Sequence, residues 1–153
     1  MARSTASLIL ITLLLSSCTG GSVIHQFRTI NGNEGWERTD TLTYEIPEIK
    51  ETRDYAMQIQ VRVGTRFPYR SICIAREVKL DNPHILKYDT VRIDISDNDK
   101  HIDASGVILS SINGDIKPIR LVKGQKGKIR LTHCMRPESI PHILDIGINL
   151  HEL

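Results

Sequence analysis

The chain has 153 residues, with 20 Lys and Arg against 18 Asp and Glu and a net charge of +2. That length suits one domain with a real hydrophobic core, and near-balanced charge without a basic block excludes the electrostatic footprint of a nucleic-acid partner. Three cysteines do not make a disulfide framework, and a 5% aromatic content leaves little for a sugar-stacking groove.

The N-terminus carries the sharpest signal. Arg3 precedes an almost wholly apolar run from Ala6 to Leu15, far short of the roughly twenty residues that cross a bilayer as a helix. A positive start, a short apolar helix and small residues before a processing point make a secretory signal peptide, expected over residues 1–17. Leu15-Ser16-Ser17-Cys18 resembles the lipobox of bacterial lipoproteins. The thiol is required there because a thioether to diacylglycerol forms before cleavage, and small neighbours admit the peptidase. The plainer alternative is a secretory signal with an incidental cysteine.

Lipidated Cys18 would then open a tether over residues 18–35, beginning Thr19-Gly20-Gly21-Ser22. Each buried methylene of an acyl chain contributes about 0.8 kcal/mol, so two or three chains hold a protein firmly to a membrane. The first expected partner is therefore the lipid bilayer. Neither an aspartate nor an acidic cluster follows Cys18. Those features resemble an inner-membrane retention signal and a surface-export signal respectively, so the periplasmic face of the outer membrane is the expected location.

Along the mature chain, alternation with a period of two dominates and helical periodicity is nearly absent. Val23–Phe27 reads as a short extended piece. After the turn-rich residues 31–35 come Trp36 and a strand with Leu42, Tyr44 and Ile46 on one face. Tyr55, Met57, Ile59, Val61 and Val63 give the cleanest half-buried strand. Ile72, Ile74, Arg76, Val78 and Leu80 give the next, before a turn at Asn82-Pro83, and Val91, Ile93 and Ile95 mark a fifth. Residues 101–115 show little pattern beyond a possible strand at Val107–Leu109, and Pro118 sends Ile116–Val122 to an edge. A hairpin turn is expected at Gly124-Gln125-Lys126-Gly127. Ile129 to Met135 and Leu144 to Leu150 complete the set. Seven or eight short strands predict an all-β fold, a single antiparallel β-sandwich over residues 36–153.

Several stretches then acquire a resemblance. Trp36-Glu37-Arg38-Thr39-Asp40-Thr41-Leu42, shortly after the lipobox, is similar to the W-x-x-x-D-T-L opening strand of the GldH-type gliding-motility lipoproteins of Bacteroidetes. His25-Gln26-Phe27 matches upstream of it. Phe67-Pro68-Tyr69-Arg70-Ser71-Ile72 resembles that family's Y-P-Y-x-N-L segment, and Asp89-Thr90-Val91 its second D-T-L. Met135-Arg136 and Ile143-Leu144-Asp145-Ile146-Gly147-Ile148 resemble its closing M-R and D-V-G-I. Where the family has a Gly- and Trp-containing stretch, residues 97–117 keep only Gly106 as a plausible counterpart. The resemblance implies a lipoprotein associated with the gliding machinery and no enzymatic chemistry, although relatives also occur in bacteria that do not glide.

Catalytic and metal patterns are weak. The histidines His25, His84, His101, His133, His142 and His151 lack zinc-binding spacing, and His133 shares the alternation of Leu131 and Met135, as a half-buried strand residue does. Asp97-Asn98-Asp99 with Asp103 offers oxygens to calcium, but without the glycine and glutamate of an EF-hand the commoner meaning is an acidic turn. No nucleophile elbow or phosphate loop occurs. The expectation is a non-enzyme without cofactor or metal. Trp36, Phe67 and Tyr69 either form a partner or ligand surface or close the ends of the sandwich. Cys73 and Cys134 either pair in an oxidising compartment or stay as buried thiols. Two functions follow: a lipid-anchored assembly subunit docking another envelope protein by an edge strand or loops, or a carbohydrate-binding module.

Overall fold

A computed structural model describes residues 21–30, 35–95, 100–102 and 108–153. The expected signal peptide, Cys18, and the oxygen-bearing residues Asp97, Asn98, Asp99 and Asp103 lie outside the described residues. Twelve strands run through them: β1 (Ser22–Thr29), β2 (Trp36–Glu37), β3 (Leu42–Ile46), β4 (Arg53–Gly64), β5 (Ser71–Asp81), β6 (Ile85–Asp94), β7 (Lys100–Ile102), β8 (Ile108–Asn113), β9 (Lys117–Leu121), β10 (Lys126–His133), β11 (Ser139–Ile140) and β12 (Ile143–Glu152). One sheet has the order β1-β12-β4-β8-β7, with β9 also on β4. The second has the order β3-β10-β5-β6, and β2 pairs β11 separately. All pairings are antiparallel.

The all-β sandwich expected from the alternation is what forms. Inward residues of β4 (Tyr55, Met57, Ile59, Val61, Val63) and β12 (Ile146, Ile148, Leu150) meet those of β5 and β10 (Ile72, Ile74, Val78, Leu80, Ile129, Leu131) in one buried cluster. The strand count exceeds seven or eight because β2, β7 and β11 have only two or three residues, too short to alternate visibly. The sheet also begins ahead of Trp36. β1 pairs with β12 from Ser22↔His151 to Thr29↔Asp145, so much of the stretch expected as tether is the edge of the sandwich.

β8 and β9 share one side of β4. The first pairs with Gln60–Gly64 and the second with Arg53–Met57, and Gly114 between them donates its amide to the Ile59 carbonyl at 2.8 Å. Pro118 sits opposite Ala56 on a strand paired only with β4, the edge position its missing N–H demands. The turn at Lys123–Gly124 exists but makes no hairpin, because β9 and β10 belong to different sheets. Buried Gln125 fixes this crossing: its side chain accepts the Val122 amide at 3.2 Å and its carbonyl accepts the Ile49 amide at 2.9 Å.

Cys73 and Cys134 are paired, with Cα atoms 5.2 Å apart and 61 residues between them in sequence number. Their backbones continue the β5–β10 ladder, the Cys134 amide donating to the Cys73 carbonyl. A second tie joins sheet to sheet. The Tyr44 hydroxyl donates to the Ile146 carbonyl at 2.7 Å, and burial holds this phenol far above its ordinary pKa, so it stays a donor. Tyr44→Phe is expected to destabilise the fold by about 0.5–1.5 kcal/mol, read by urea unfolding, because a buried hydrogen bond between the sheets is lost.

Candidate functional site

The resemblance motifs fold into joints. Trp36 is fully buried and donates its indole N–H to the Asp40 carbonyl at 3.1 Å, closing the W-x-x-x-D turn on itself. Gly35 before it has φ +79°, and a Cβ there would lie 2.6 Å from the Ile140 carbonyl oxygen, so only glycine lets β2 meet β11 this way. Arg38 reaches the carbonyls of Met135, Arg136 and Pro137, bracketing the M-R stretch. On the outer face of the first sheet, Phe27 pairs with Gly147, whose missing side chain leaves room for the ring. A Cβ on Gly147 would come within 2.7 Å of it. The Arg62 guanidinium covers that ring at 3.9 Å and meets Asp145 at 3.7 Å.

Burial removes Trp36 from the surface suggested by the sequence, where its alternative was to close an end of the sandwich. Phe67 and Tyr69 are half-buried in the β4–β5 loop, edge to face at 5.5 Å, and pack against the core. The structure thus brings Phe67 and Tyr69 together, and Trp36 pairs instead with His133, ring centroids 5.5 Å apart.

His133 is more buried than its alternation implied. Burial pushes its imidazole below the usual value and the Arg38 charge adds to this, against the carbonyls of Glu138 and Trp36 and the Glu138 carboxylate. The folded state therefore resists protonation, and stability present above the unfolded histidine's pKa of about 6.5 falls as pH drops through that value toward the lower folded one. Urea midpoints measured from pH 7.5 to 5 should decline, and the slope should be shallower in His133→Gln.

Two hollows lie along β6. Asp89, of the second D-T-L, receives Arg76 through both guanidinium branches, with Nε to Oδ1 at 2.9 Å. Arg76 points inward with the apolar residues of β5 and is 8% exposed, its other nitrogen donating to the Met57 sulfur at 3.4 Å. Beside this pair a crevice of about 300 Å³ opens between the sheets, over Met57, Val78 and Ile119, with Lys87 and Lys117 at its mouth. Neither lysine has an ion-pair partner among the described residues.

On the opposite face of β6 lies a trough of about 540 Å³. Register explains it. Thr132, Ala75 and Thr90 stand directly opposite one another and make a row of short side chains. The neighbouring row, Arg130, Glu77 and Tyr88, makes a wall in which Arg130 meets Glu77 at 3.4 Å and the Tyr88 phenol, raised above its usual pKa chiefly by a hydrogen bond, engages Glu77. Tyr88 and Leu86 are exposed. Sequence reasoning named none of these as site residues, because Leu86 to Thr90 read as the approach to a strand. The signal present was the lysine and aspartate on the inward alternation at positions 87 and 89.

Among the described residues, no group of three or more His, Cys, Asp or Glu side chains is placed to hold a metal ion. No curated protein matches the chain. The sequence model of the GldH lipoprotein family matches residues 22–150, from the start of β1 into β12, and the chain belongs to the GldH lipoprotein family.

Proposed function

We propose that this protein is a non-catalytic structural or assembly component of the cell envelope, anchored by acylated Cys18 and associated with the gliding machinery. It acts by docking another envelope protein from the periplasmic face of the outer membrane. Family membership supports the lipoprotein and the motility association. The observation that carries the non-catalytic reading is where the motif side chains go. Trp36, Arg38 and Asp145 bond to other parts of the same fold, and Asp89 is taken up by Arg76. Residues of a reaction centre converge instead on a point where substrate can sit.

The trough beneath Tyr88 favours a second reading, a carbohydrate-binding module, since an exposed phenol beside a polar row suits one sugar ring. Affinity purification of the lipidated chain from its own envelope separates the two. Near-stoichiometric retention of an envelope protein supports docking. A chain that purifies alone yet binds a glycan array saturably, with loss in Tyr88→Ala, supports the module instead.

A further inference from the structure

Among the described residues, strand β6 has β5 as its neighbour on one side and none on the other. Its register with β5 is unbroken from Ser71↔Asp94 to Leu80↔Ile85. The direction of its backbone groups follows from two bonds. The Ile95 amide donates to the Arg70 carbonyl, and the Cys134 amide to the Cys73 carbonyl. Because bonded and non-bonded pairs alternate along an antiparallel ladder, even-numbered residues of β5 face β6, and odd-numbered residues of β6 answer them. The N–H and C=O groups of Leu86, Tyr88, Thr90 and Arg92 therefore point out of the sheet, along an edge with no proline or bulge to block pairing.

This edge is hollowed on both faces. The trough lies on one side of Tyr88 and the crevice on the other. A strand laid along β6 would direct alternate side chains into each, and alternate pockets are what give selectivity when a strand is added to an edge. Two of the four large apolar side chains exposed among the described residues, Leu86 and Tyr88, lie on it. The crevice side offers an apolar floor with the ammonium groups of Lys87 and Lys117, unpaired among the described residues, above it.

We infer that β6 is the docking edge, and that its occupant is an extended segment of a partner protein with apolar and carboxylate side chains on the alternation facing the crevice. This rests on the docking reading above and names the partner's chemistry. Main-chain bonds to Leu86, Tyr88, Thr90 and Arg92 hold the segment, and its carboxylates meet Lys87 and Lys117.

The test uses the full lipidated chain in its own cells, with the photo-crosslinker p-benzoylphenylalanine at position 86. Two variants accompany it. Thr90→Pro removes an outward amide without touching the ladder to β5, and Lys87→Glu with Lys117→Glu reverses the surface charge and leaves the backbone alone. The expected result is a discrete adduct whose sequenced peptide is acidic, reduced at least tenfold in both variants. No adduct, an adduct undiminished by either variant, or a captured peptide of net positive charge overturns the inference. If purification still retains an envelope protein while position 86 captures nothing, β6 is wrong and the docking reading stands. A chain that purifies alone removes both.

Discussion

Trp36→Ala is expected to lower the free energy of unfolding by about 3–5 kcal/mol, the usual cost of deleting a buried aromatic side chain. The indole is wholly buried, packs edge to face on His133 and is hydrogen-bonded to the Asp40 carbonyl. Its loss leaves a cavity and an unpaired acceptor at once. It also loosens the two-residue pairing of β2 with β11, which is left to Ile140 and the Arg38 bonds. Against a total of about 5–15 kcal/mol for a domain this is a large fraction, and the midpoint of thermal unfolding should fall by roughly 10 °C or more. Circular dichroism is the appropriate probe, because Trp36 is the chain's only tryptophan. An indole serving as an exposed contact would give the opposite pattern, with an unchanged midpoint and lost binding. Phe67→Ala, at a half-buried ring, should cost only about 1–2 kcal/mol.

Removing the Cys73–Cys134 bond as a Ser/Ser pair should cost about 4 kcal/mol, from the loop-closure entropy that a link across 61 positions withholds from the unfolded chain. The bond also pins the segment after β10, from which Arg38 takes its carbonyl partners. Serines at both positions should therefore lower the urea midpoint, and a reductant should lower the wild type to match and leave the double variant unmoved. A bond of this kind persists in an oxidising compartment, which accords with the proposed anchoring in the cell envelope.

Much of the fold was legible because its central strands alternate cleanly. On β5 and β10, on β4 from Tyr55 to Val63 and on β12 from Ile146 to Leu150, every second residue is buried, and a period of two in the sequence is the direct image of that burial. Even Arg76 was placed on the inward face by alternation alone. What alternation cannot encode is pairing. The meeting of Cys73 with Cys134, the entry of β1 beside β12 and the crossing between sheets after β9 depend on partners distant in sequence.

The candidate site was hidden for a physical reason. The first half of β6 carries Lys87 and Asp89 where a closed sandwich would carry apolar residues, so the pattern there did not read as a strand. Those polar residues face inward because the sandwich is open beside them. Loss of pattern and presence of a crevice are one feature seen twice, and functional surfaces are where such departures concentrate. For Trp36, Phe67 and Tyr69 the sequence left two readings, a contact surface or the closed ends of the sandwich. Aromatic character alone does not separate a contact surface from a core, and Trp36 belongs to the core.

The account depends most on the body being held at a membrane, since an edge strand that docks a neighbour gains from being confined beside it. The mass of the N-terminal peptide, taken from the protein purified out of its own envelope, tests this most directly. The prediction is a chain that begins at Cys18 with diacylglycerol on sulfur. A chain that carries an unmodified Cys18, or that is released freely into the medium, would contradict it.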